Sequence, residues 1–245
     1  MPHSLFISDL HLSPETPAAT ASLVNFLSQT AAHADSLYVL GDLFEYWIGD
    51  EGMAEPHAQQ IIQAFQTLSD KGVVTYFMHG NRDFLVGERV AQAAGLHLLA
   101  DPTVVDLYGT PTILMHGDTL CTGDQEYQRF RAMVRNPEWQ RAFTAKPLDE
   151  RVRMAHEVRG RSEQSKSIKD MAIMDVAPMA VEETFRAFQA ARLIHGHTHR
   201  PGRHEYQIAG RRCERWVLGD WYDHGSYLWC DADGCHTAAL PGLKT

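Results

Sequence analysis

The chain has 245 residues and a net charge of −9, and 44 % of its residues are hydrophobic. This length is compatible with one large α/β domain, or with a core that carries a sizeable insertion. No apolar run reaches the roughly 18 residues that a membrane-spanning helix needs. The acidic charge argues against general nucleic-acid binding, and so against a nuclease, because nucleic-acid binding requires a basic surface.

The N-terminus and the cysteines predict a cytoplasmic protein. Residues 1–9 contain no cationic region and no small-residue cleavage site, and they lead directly into an apolar run. Cys121, Cys213, Cys230 and Cys235 lack the C-x-x-C spacing of zinc sites and redox motifs. We therefore expect reduced thiols rather than disulfides or a zinc site.

Short apolar runs alternate with amphipathic helical segments along most of the chain. In chain order, strands are predicted at Leu5–Ile7, Leu37–Leu40, Val73–Met78, Thr112–Met115 and Leu193–Ile194. Helical spacing of apolar residues lies between them, at 23–27 and 61–68. Beyond residue 205, antiparallel strands are predicted at 215–218, 226–230 and 236–240, with a turn at 231–234. This order indicates an α/β fold, in which ligand sites gather at the carboxyl ends of the strands.

Residues 121–176 interrupt the alternation with helices and no predicted strand. The part from 121 to 170 contains eleven of the 22 Lys and Arg residues but only eight Asp and Glu, so it is about +3 in an acidic chain. Asn136 predicts an N-cap, because Pro137 follows it at the first helical position. We interpret the segment as an inserted helical cap over a functional site. The alternative is a helical hairpin that packs on the sheet and contacts no substrate.

The last part of this insertion predicts an amphipathic helix. The spacing places four apolar residues on one face and leaves three arginines largely off it. The apolar residues are Leu148, Val152, Ala155 and Val158, and the arginines are Arg151, Arg153 and Arg159.

Five separate segments end an apolar run in side chains that bind metals. They are Asp9-Leu10-His11, Gly41-Asp42, Gly80-Asn81-Arg82-Asp83, His116-Gly117-Asp118 and His195-Gly196-His197-Thr198-His199. Carboxylate, amide and imidazole groups are the donors that divalent first-row metals take. Five such segments in one domain predict one centre at the edge of a sheet. Asp42 is the natural bridging ligand between two ions, and two-metal centres of this kind hydrolyse phosphorus esters.

This ordered set resembles the calcineurin-like metallophosphoesterase superfamily over residues 5 to about 220. The resemblance implies a single domain over 1–245, a four-layered α/β/β/α sandwich with the inserted cap at 121–176, and two Mn²⁺ ions per subunit. It implies one ion held by Asp9, His11, Asp42 and His199, and a second held by Asp42, Asn81, His116 and His197. His195 matches no ligand position, and we expect it to support the loop by hydrogen bonding.

Arg82 stands where many members of the superfamily carry histidine after Gly-Asn. A guanidinium is always charged and cannot act as a general acid, but it can clamp a phosphate through two parallel hydrogen bonds. A leaving group that is itself a phosphate has little need of a proton. Arg82 therefore favours a pyrophosphate substrate over an alkyl phosphomonoester.

Three longer strings, at residues 41–50, 80–84 and 173–176, are similar to those of the UDP-2,3-diacylglucosamine pyrophosphatases of lipid A biosynthesis. That resemblance implies Mn²⁺-dependent hydrolysis to UMP and 2,3-diacylglucosamine 1-phosphate (lipid X) at the cytoplasmic face of the inner membrane. It implies peripheral membrane contact, no nucleic-acid partner and a monomer. The substrate contacts that it implies are Asn81, Arg82, Asp124, Ser162, Lys166, Lys169 and His197. Some relatives have asparagine in place of Lys166.

The composition of the insertion suits an amphiphilic substrate. Its Lys and Arg side chains can meet a pyrophosphate or anionic lipid head groups. Its apolar side chains could shelter two acyl chains, although each is individually typical of ordinary helix packing. These are Tyr127, Phe130, Met133, Trp139, Phe143 and Val152.

The expected mechanism is in-line attack on the α-phosphorus by a hydroxide that bridges the two ions. Asp42, Asn81, Arg82 and His197 are the predicted catalytic residues, with Arg82 and His197 neutralising the transition state. One alternative is another two-metal phosphodiesterase or pyrophosphatase that acts on a soluble nucleotide. Another is a non-catalytic scaffold of the retromer-subunit kind, which the complete set of seven predicted ligands disfavours.

Overall fold

The computed structural model describes residues 1–168, 175–222 and 225–240, and it leaves out the side chains of 161–168. Eleven strands lie in these ranges: β1 Ser4–Ile7, β2 Ser36–Val39, β3 Val74–Met78, β4 Leu96–Leu99, β5 Thr103–Leu107, β6 Thr110–Leu114, β7 Arg192–His195, β8 Gly202–Ile208, β9 Arg211–Val217, β10 Ser226–Asp231 and β11 Gly234–Ala239. Seven α-helices accompany them: α1 Pro17–Gln29, α2 Pro56–Asp70, α3 Glu88–Ala94, α4 Gln125–Val134, α5 Pro137–Thr144, α6 Leu148–Ile168 and α7 Pro178–Phe188. Short 3-10 turns lie at Ala31–His33, Asp50–Ala54 and Asp118–Leu120.

The strands form two sheets. The six-stranded sheet has the order β11-β10-β1-β2-β3-β4, in which β1 to β4 run parallel and β10 and β11 run antiparallel. The five-stranded sheet has the order β5-β6-β7-β9-β8, in which β6, β7 and β9 are parallel. The carboxyl ends of the parallel strands therefore bring the loops that follow them to one edge of each sheet.

Three apolar clusters show that the two sheets and the helices form four layers. Between the sheets, Phe6 of β1 packs with Leu114 of β6 and Ile194 of β7. On the outer face of the six-stranded sheet, α1, α2 and α3 bury the cluster that includes Phe65. On the outer face of the other sheet, α7 buries Phe185. The predicted α/β/β/α sandwich is confirmed.

The predicted strands are present within a few residues of their expected bounds, but three strands were missed. β4, β5 and β8 are edge strands of the two sheets. In β8, Arg203, His204 and Glu205 are all exposed, so it lacks the apolar run of a central strand. A hydrophobic pattern alone does not separate such a strand from a loop.

Three helices and no strand lie in the described part of residues 121–176, as predicted. Asn136 caps α5, because its Oδ1 accepts a hydrogen bond from the Glu138 amide at 2.7 Å, and Pro137 occupies the first turn. Among the described residues, no helix is both long enough and apolar enough to cross a bilayer.

The prediction that the arginines of α6 lie off its apolar face holds for Arg153, which is exposed, but it is wrong for Arg151. Arg151 is buried, with 3 % of its surface exposed, whereas Leu148 is 37 % exposed and Val158 is 42 % exposed. Arg151 Nη1 donates to the carbonyl of Ile48 at 2.6 Å and lies 3.2 Å from the carboxylate of Glu51. These acceptors lie on the loop between β2 and α2, so polar contacts decide which side of α6 faces the body of the protein.

The expectation of four reduced cysteines is also wrong. Cys230 and Cys235 form a disulfide, while Cys121 and Cys213 are free and buried. The reason is the hairpin formed by β10 and β11, in which these two cysteines lie opposite each other. The predicted turn at 231–234 is flanked by Cys230 and Cys235, so the hairpin register pairs these two residues.

Candidate metal centre

The five predicted segments follow strands β1, β2, β3, β6 and β7, and their loops meet at the carboxyl ends of these strands. Eight described non-glycine residues have a positive φ, and five of them are predicted ligands: Asp9, His11, Asp42, His197 and His199. Such left-handed conformations cost about 1 kcal/mol or more each, and they concentrate at functional sites. The left-handed backbone at these five positions directs the side chains into the cluster, and it lowers the stability of the folded protein.

Two glycines let these loops approach each other closely. A Cβ atom on Gly80 would lie 2.1 Å from the Oδ1 of Asp42, and one on Gly196 would lie 2.2 Å from the Oδ2 of Asp9. Both distances are far below van der Waals contact. Any other residue at these positions would push the two carboxylates out of the cluster.

Each of the two carboxylates has one oxygen held by the protein and one turned into the cluster. Asp9 Oδ2 accepts hydrogen bonds from Ser8 Oγ at 2.6 Å and from the His197 amide at 2.8 Å. Asp42 Oδ1 accepts from the Arg82 amide at 2.8 Å. The remaining oxygen of Asp42, Oδ2, lies 3.8 Å from His11 Nε2 and 3.8 Å from His116 Nε2. It therefore lies between the two groups of predicted ligands.

The histidines and the asparagine complete two groups of donors. In the first group, His11 Nε2 lies 3.3 Å from His199 Nε2, which lies 3.3 Å from Asp9 Oδ1. In the second, Asn81 Oδ1 lies 3.0 Å from His116 Nε2 and 2.9 Å from His197 Nδ1. All seven predicted ligands are thus brought together. Two compact sets of carboxylate and imidazole donors within 4.8 Å of one another are Asp9, His11 and His199, and Asp9, Asp42 and His116.

The chemistry of these donors fits a divalent cation. Asp9 Oδ1 is fully buried and lacks a hydrogen-bond partner among the described residues. His116 donates from Nδ1 to the carbonyl of Leu40 at 2.9 Å, so its Nε2 is the atom that faces the other ligands. The converging carboxylates favour positive charge at this place, which a bound cation supplies. The residues present therefore fit a metal ion.

The pKa values show where the cluster stabilises positive charge. Burial would lower the pKa of His116, but Asp42 and the other carboxylates raise it to about 9. Burial likewise opposes the proton on His199, yet Asp220 and Asp9 raise that pKa to about 10. Burial raises the pKa of Asp9, and His199 and the other histidines hold it well below its usual range. Burial and the neighbouring His116 lower the pKa of His197 to about 4.

Asp83 fixes the loops after β2 and β3 to each other. Its carboxylate is fully buried and accepts from the amides of Gly80 at 2.8 Å and Leu43 at 2.7 Å, with longer contacts to those of Asp42 and Phe44. Burial and the nearby Asp42 raise the pKa of Asp83 to about 6. Asp83 thus sets the spacing of Asp42 and Asn81 through the backbone.

Helix α4 is attached to the metal-site loops by polar side chains. Tyr127 Oη and Arg131 Nε both donate to the buried Asp118 Oδ2 at 2.7 Å. Arg135, at the end of α4, donates to the carbonyl of Gly80 at 2.8 Å. The insertion therefore contacts the loops after β6 and β3, directly beside His116 and Asn81.

Carboxylates back both histidines of the first group. Asp220 Oδ2 lies 3.0 Å from His199 Nδ1. Glu45 Oε2 lies 3.3 Å from His11 Nδ1, an ion-pair distance without the alignment of a hydrogen bond. Burial raises the pKa of Glu45, but His11 and the arginines around it bring that pKa below its usual value. Such outer carboxylates orient imidazole ligands and increase their basicity.

His195 is separate from the donor groups. Its Nδ1 lies 2.8 Å from the Gly196 carbonyl, and its Nε2 accepts from Arg215 Nη1 at 3.0 Å. Burial, with the charge of Arg215 beside it, lowers the pKa of His195 to about 3, so the ring is neutral. These contacts are of the loop-supporting kind that the sequence predicted for this residue.

Of the predicted substrate contacts, Arg82 and Asp124 have side chains that the structure describes, whereas Ser162, Lys166 and Lys169 do not. Arg82 has 15 % of its side chain exposed and lies 3.8 Å from Glu45, beside the metal ligands. Asp124 caps α4 by accepting from the Tyr127 amide at 3.0 Å. The side chains of Ser162 and Lys166, and the whole of Lys169, lie outside the described residues, as does part of the quoted string 173–176.

The roles of Glu45, Asp83, Asp118 and Asp220 are not predicted from the sequence. The first three lie two or three residues after a predicted ligand, so the available signal is an acidic residue close to such a ligand. Asp220 follows β9, the strand next to β7, after Gly219. Like Asp42, Asp220 is a carboxylate residue that follows the end of a strand.

Comparison with known proteins agrees with this geometry. Residues 3–201 match the family described as Calcineurin-like phosphoesterase. The UDP-2,3-diacylglucosamine hydrolase of Serratia proteamaculans (strain 568) is 48 % identical over 239 residues, which cover 98 % of this chain and 99 % of that protein. The UDP-2,3-diacylglucosamine hydrolase of Xanthomonas axonopodis pv. citri (strain 306) is 50 % identical over 244 residues, covering 97 % and 98 %.

Among solved structures, vacuolar protein sorting 29 from Cryptosporidium parvum matches with a TM-score of 0.51 and 13 % identity, over 99 % of this chain and 93 % of that one. This likeness supports the fold. The ordered ligand motifs, the two sheets and the long match to residues 3–201 agree with one another. The chain belongs to the calcineurin-like phosphoesterase family.

Proposed function

We propose that this protein hydrolyses the pyrophosphate bond of UDP-2,3-diacylglucosamine, giving UMP and 2,3-diacylglucosamine 1-phosphate, in lipid A biosynthesis. The observation that carries the proposal is the identity of about 50 %, over nearly the whole chain, to curated relatives named for hydrolysis of this compound. That similarity includes the insertion, which a shared metal centre alone would not require. The convergence of all seven predicted ligands supports a working enzyme rather than a scaffold.

The proposed cofactor is a pair of Mn²⁺ ions. Asp9, His11, Asp42 and His199 would hold one ion, and Asp42, Asn81, His116 and His197 would hold the other. The position of Asp42 Oδ2, 3.8 Å from a histidine nitrogen of each group, supports its role as the bridging ligand. Bound ions of this kind activate water and neutralise the negative charge of a phosphoryl group.

The residues of the chain itself bind and orient the pyrophosphate. Arg82 presents a guanidinium beside the ligands and clamps a phosphate through parallel hydrogen bonds. Asn81 Oδ1 and His197 Nδ1 lie 2.9 Å apart, and these two residues would contact the phosphoryl oxygens. Attack at the α-phosphorus displaces the lipid phosphate, which leaves as a stable anion without a proton from Arg82.

Helices α4 to α6 form a cap over the site in this proposal, within one domain. Asp124, Ser162, Lys166 and Lys169 are the proposed substrate contacts from this segment. Among the apolar residues proposed to shelter acyl chains, Phe143 is buried against Trp139, whereas Met133 is 48 % exposed. The protein acts as a monomer with peripheral contact at the cytoplasmic face of the inner membrane, and it binds no nucleic acid.

The decisive experiment is hydrolysis of UDP-2,3-diacylglucosamine with Mn²⁺ in ¹⁸O-labelled water. We expect the label in UMP, because water attacks the α-phosphorus. Label in the lipid phosphate would overturn the direction of attack. Absence of turnover, together with rapid cleavage of a soluble dinucleoside polyphosphate or cyclic nucleotide, would overturn the lipid substrate and favour the alternative activity.

A further inference from the structure

Glu45 occupies an unusual position in the loop after β2. Its side chain is buried, with 4 % of the residue exposed, yet it is surrounded by polar groups. Four side chains from four separate parts of the chain approach its carboxylate. They are His11 from the loop after β1, Arg82 from the loop after β3, Arg159 from α6, and Tyr222 from the segment after β9.

The two carboxylate oxygens of Glu45 serve different partners. Oε2 lies 3.3 Å from His11 Nδ1 and accepts a hydrogen bond from Tyr222 Oη at 3.4 Å. The Tyr222 ring also stacks on the His11 ring, with centroids 5.1 Å apart and planes 9° from parallel. Oε1 faces the other way, 3.8 Å from Arg82 Nη1 and 3.3 Å from Arg159 Nε. One oxygen thus serves a metal ligand, and the other serves two guanidinium groups.

Glu45 fixes where positive charge lies beside the metal cluster. Arg82 and Arg159 approach the same oxygen of its carboxylate from two separate parts of the chain. A phosphate group entering the site would meet a guanidinium held in place rather than a freely rotating side chain.

Asp220 provides a comparison within the same site. It lies 3.0 Å from His199 Nδ1, as Glu45 lies 3.3 Å from His11 Nδ1, so each backs one histidine of the first donor group. In the described part of the chain, Glu45 also contacts arginines, whereas Asp220 does not. The pair therefore separates the effect of backing a ligand from the effect of holding the guanidinium groups.

We propose that Glu45 is a positioning residue that joins one metal subsite to the phosphate-binding arginine and to helix α6. Through Oε2 it places a negative charge 3.3 Å from His11 Nδ1, which favours the ring form with its proton on Nδ1 and the Nε2 lone pair free for a metal. Through Oε1 it orients Arg82 and attaches Arg159 of the insertion to the site. The arginine half of this inference rests on the proposed function, whereas the histidine half requires only the metal centre.

The substitution Glu45→Gln tests the two halves separately, because an amide accepts hydrogen bonds at one oxygen only. The two guanidinium charges attract the amide oxygen, which turns the NH₂ group toward His11. An NH₂ group beside Nδ1 favours the ring form in which Nδ1 accepts and Nε2 carries the proton, and this proton competes with the metal. Glu45→Ala removes both contacts, and Asp220→Asn alters only the backing of His199.

The first measurement is Mn²⁺ binding to the metal-free protein, by titration calorimetry and electron paramagnetic resonance. We expect Glu45→Gln and Asp220→Asn each to weaken binding of one ion about 10- to 100-fold, the usual cost of losing an outer carboxylate. Glu157→Gln, exposed on α6, is the matched control and should bind as the unaltered protein does. Unchanged Mn²⁺ affinity in a folded Glu45→Gln protein would overturn the histidine half.

The second measurement is KM for UDP-2,3-diacylglucosamine at saturating Mn²⁺. Glu45→Ala should raise KM about tenfold by releasing Arg82, whereas Asp220→Asn should leave KM within about twofold of the unaltered protein. An unchanged or lower KM in Glu45→Ala would overturn the arginine half. If the unaltered protein itself does not hydrolyse this substrate, the proposed function fails, and the Mn²⁺ titration still decides the histidine half.

Discussion

The strand-end loops and the helical insertion show two different ways of building one site. The loops hold their ligands through the backbone: five predicted ligands have a left-handed conformation, and Asp83 accepts hydrogen bonds from backbone amides of two loops. Helices α4 and α6 are instead attached by long side chains that reach backbone carbonyls and carboxylates. Arg135 contacts the Gly80 carbonyl, and Arg151 contacts the Ile48 carbonyl.

This difference has a consequence for the basic charge of the insertion. Arg131, Arg135, Arg151 and Arg159 all contact acceptors in or beside the metal-site loops. The positive charge of residues 121–170 therefore attaches the insertion to an acidic body. We assign this attaching role to these four arginines only, and not to the other basic residues of the insertion.

The largest effect is expected in the loops, at Asp42. Asp42→Asn replaces an anionic oxygen that faces both donor groups by a neutral amide, so both metal positions should weaken. Activity should fall at least about 1,000-fold, equivalent to about 4 kcal/mol of activation free energy. Metal content by mass spectrometry and kcat/KM with UDP-2,3-diacylglucosamine check this.

Asp233→Asn is the matched control, because Asp233 is exposed in the turn between β10 and β11. It should retain both metal content and activity. Full metal content in Asp42→Asn would contradict the bridging role, even if activity were lost.

A second effect concerns the coupling between loops. Asp83→Asn places a donating NH₂ group against backbone amides that now donate to a carboxylate. Because a buried unsatisfied amide costs about 1–3 kcal/mol, the free energy of unfolding should fall by about 3 kcal/mol. Urea denaturation of the metal-free protein measures it. A change below about 1 kcal/mol would show that the loops hold their spacing without Asp83.

The sequence was a better guide to the loops than to the insertion, and the reason is physical. A predicted ligand such as Asp42 follows a buried apolar strand, and the carboxyl ends of such parallel strands meet at one edge of the sheet whatever their side chains contact. The side of α6 that faces the protein depends on partners far away in sequence. Arg151 reaches Ile48, 103 residues earlier. A hydrophobic pattern cannot indicate that a carbonyl on another loop accepts from an arginine.

The same reasoning explains what was missed within the site. Glu45 and Asp220 were not assigned a role, because they act through His11 and His199 rather than through position at the end of a motif. The spacing of Cys230 and Cys235 matches no metal motif, and the register of the β10–β11 hairpin is what brings the two thiols together. In each case the sequence contained the residues, and the missing information was which distant groups they face.

A third prediction tests how α6 is attached. Arg151→Met keeps much of the side-chain volume but removes the hydrogen bond to the Ile48 carbonyl, which is buried at that contact. The free energy of unfolding should fall by about 2 kcal/mol, since a charged hydrogen bond is lost and an acceptor is left unsatisfied. Arg153→Met is the control, because Arg153 is exposed two residues along the same helix. It should change stability by less than about 0.5 kcal/mol.

Chemical denaturation measures both variants, and hydrogen exchange over residues 148–160 detects local opening of α6. Equal effects of Arg151→Met and Arg153→Met would contradict the inward orientation of Arg151. They would favour the predicted arrangement, in which Arg151 lies off the apolar face of α6.

The smallest effect is expected on the apolar side of α6. Val158 is 42 % exposed, so Val158→Ser should change the free energy of unfolding by less than about 0.5 kcal/mol. Val134 of α4 is the matched control: it is 3 % exposed, and Val134→Ser should cost about 2 kcal/mol, since it removes a buried apolar side chain and buries a hydroxyl. Both values come from urea denaturation of the metal-free protein. An equal cost for Val158→Ser and Val134→Ser would mean that the part of α6 around Val158 is covered in solution. The contrast between loops held by their backbone and helices held by arginines would then fail at α6.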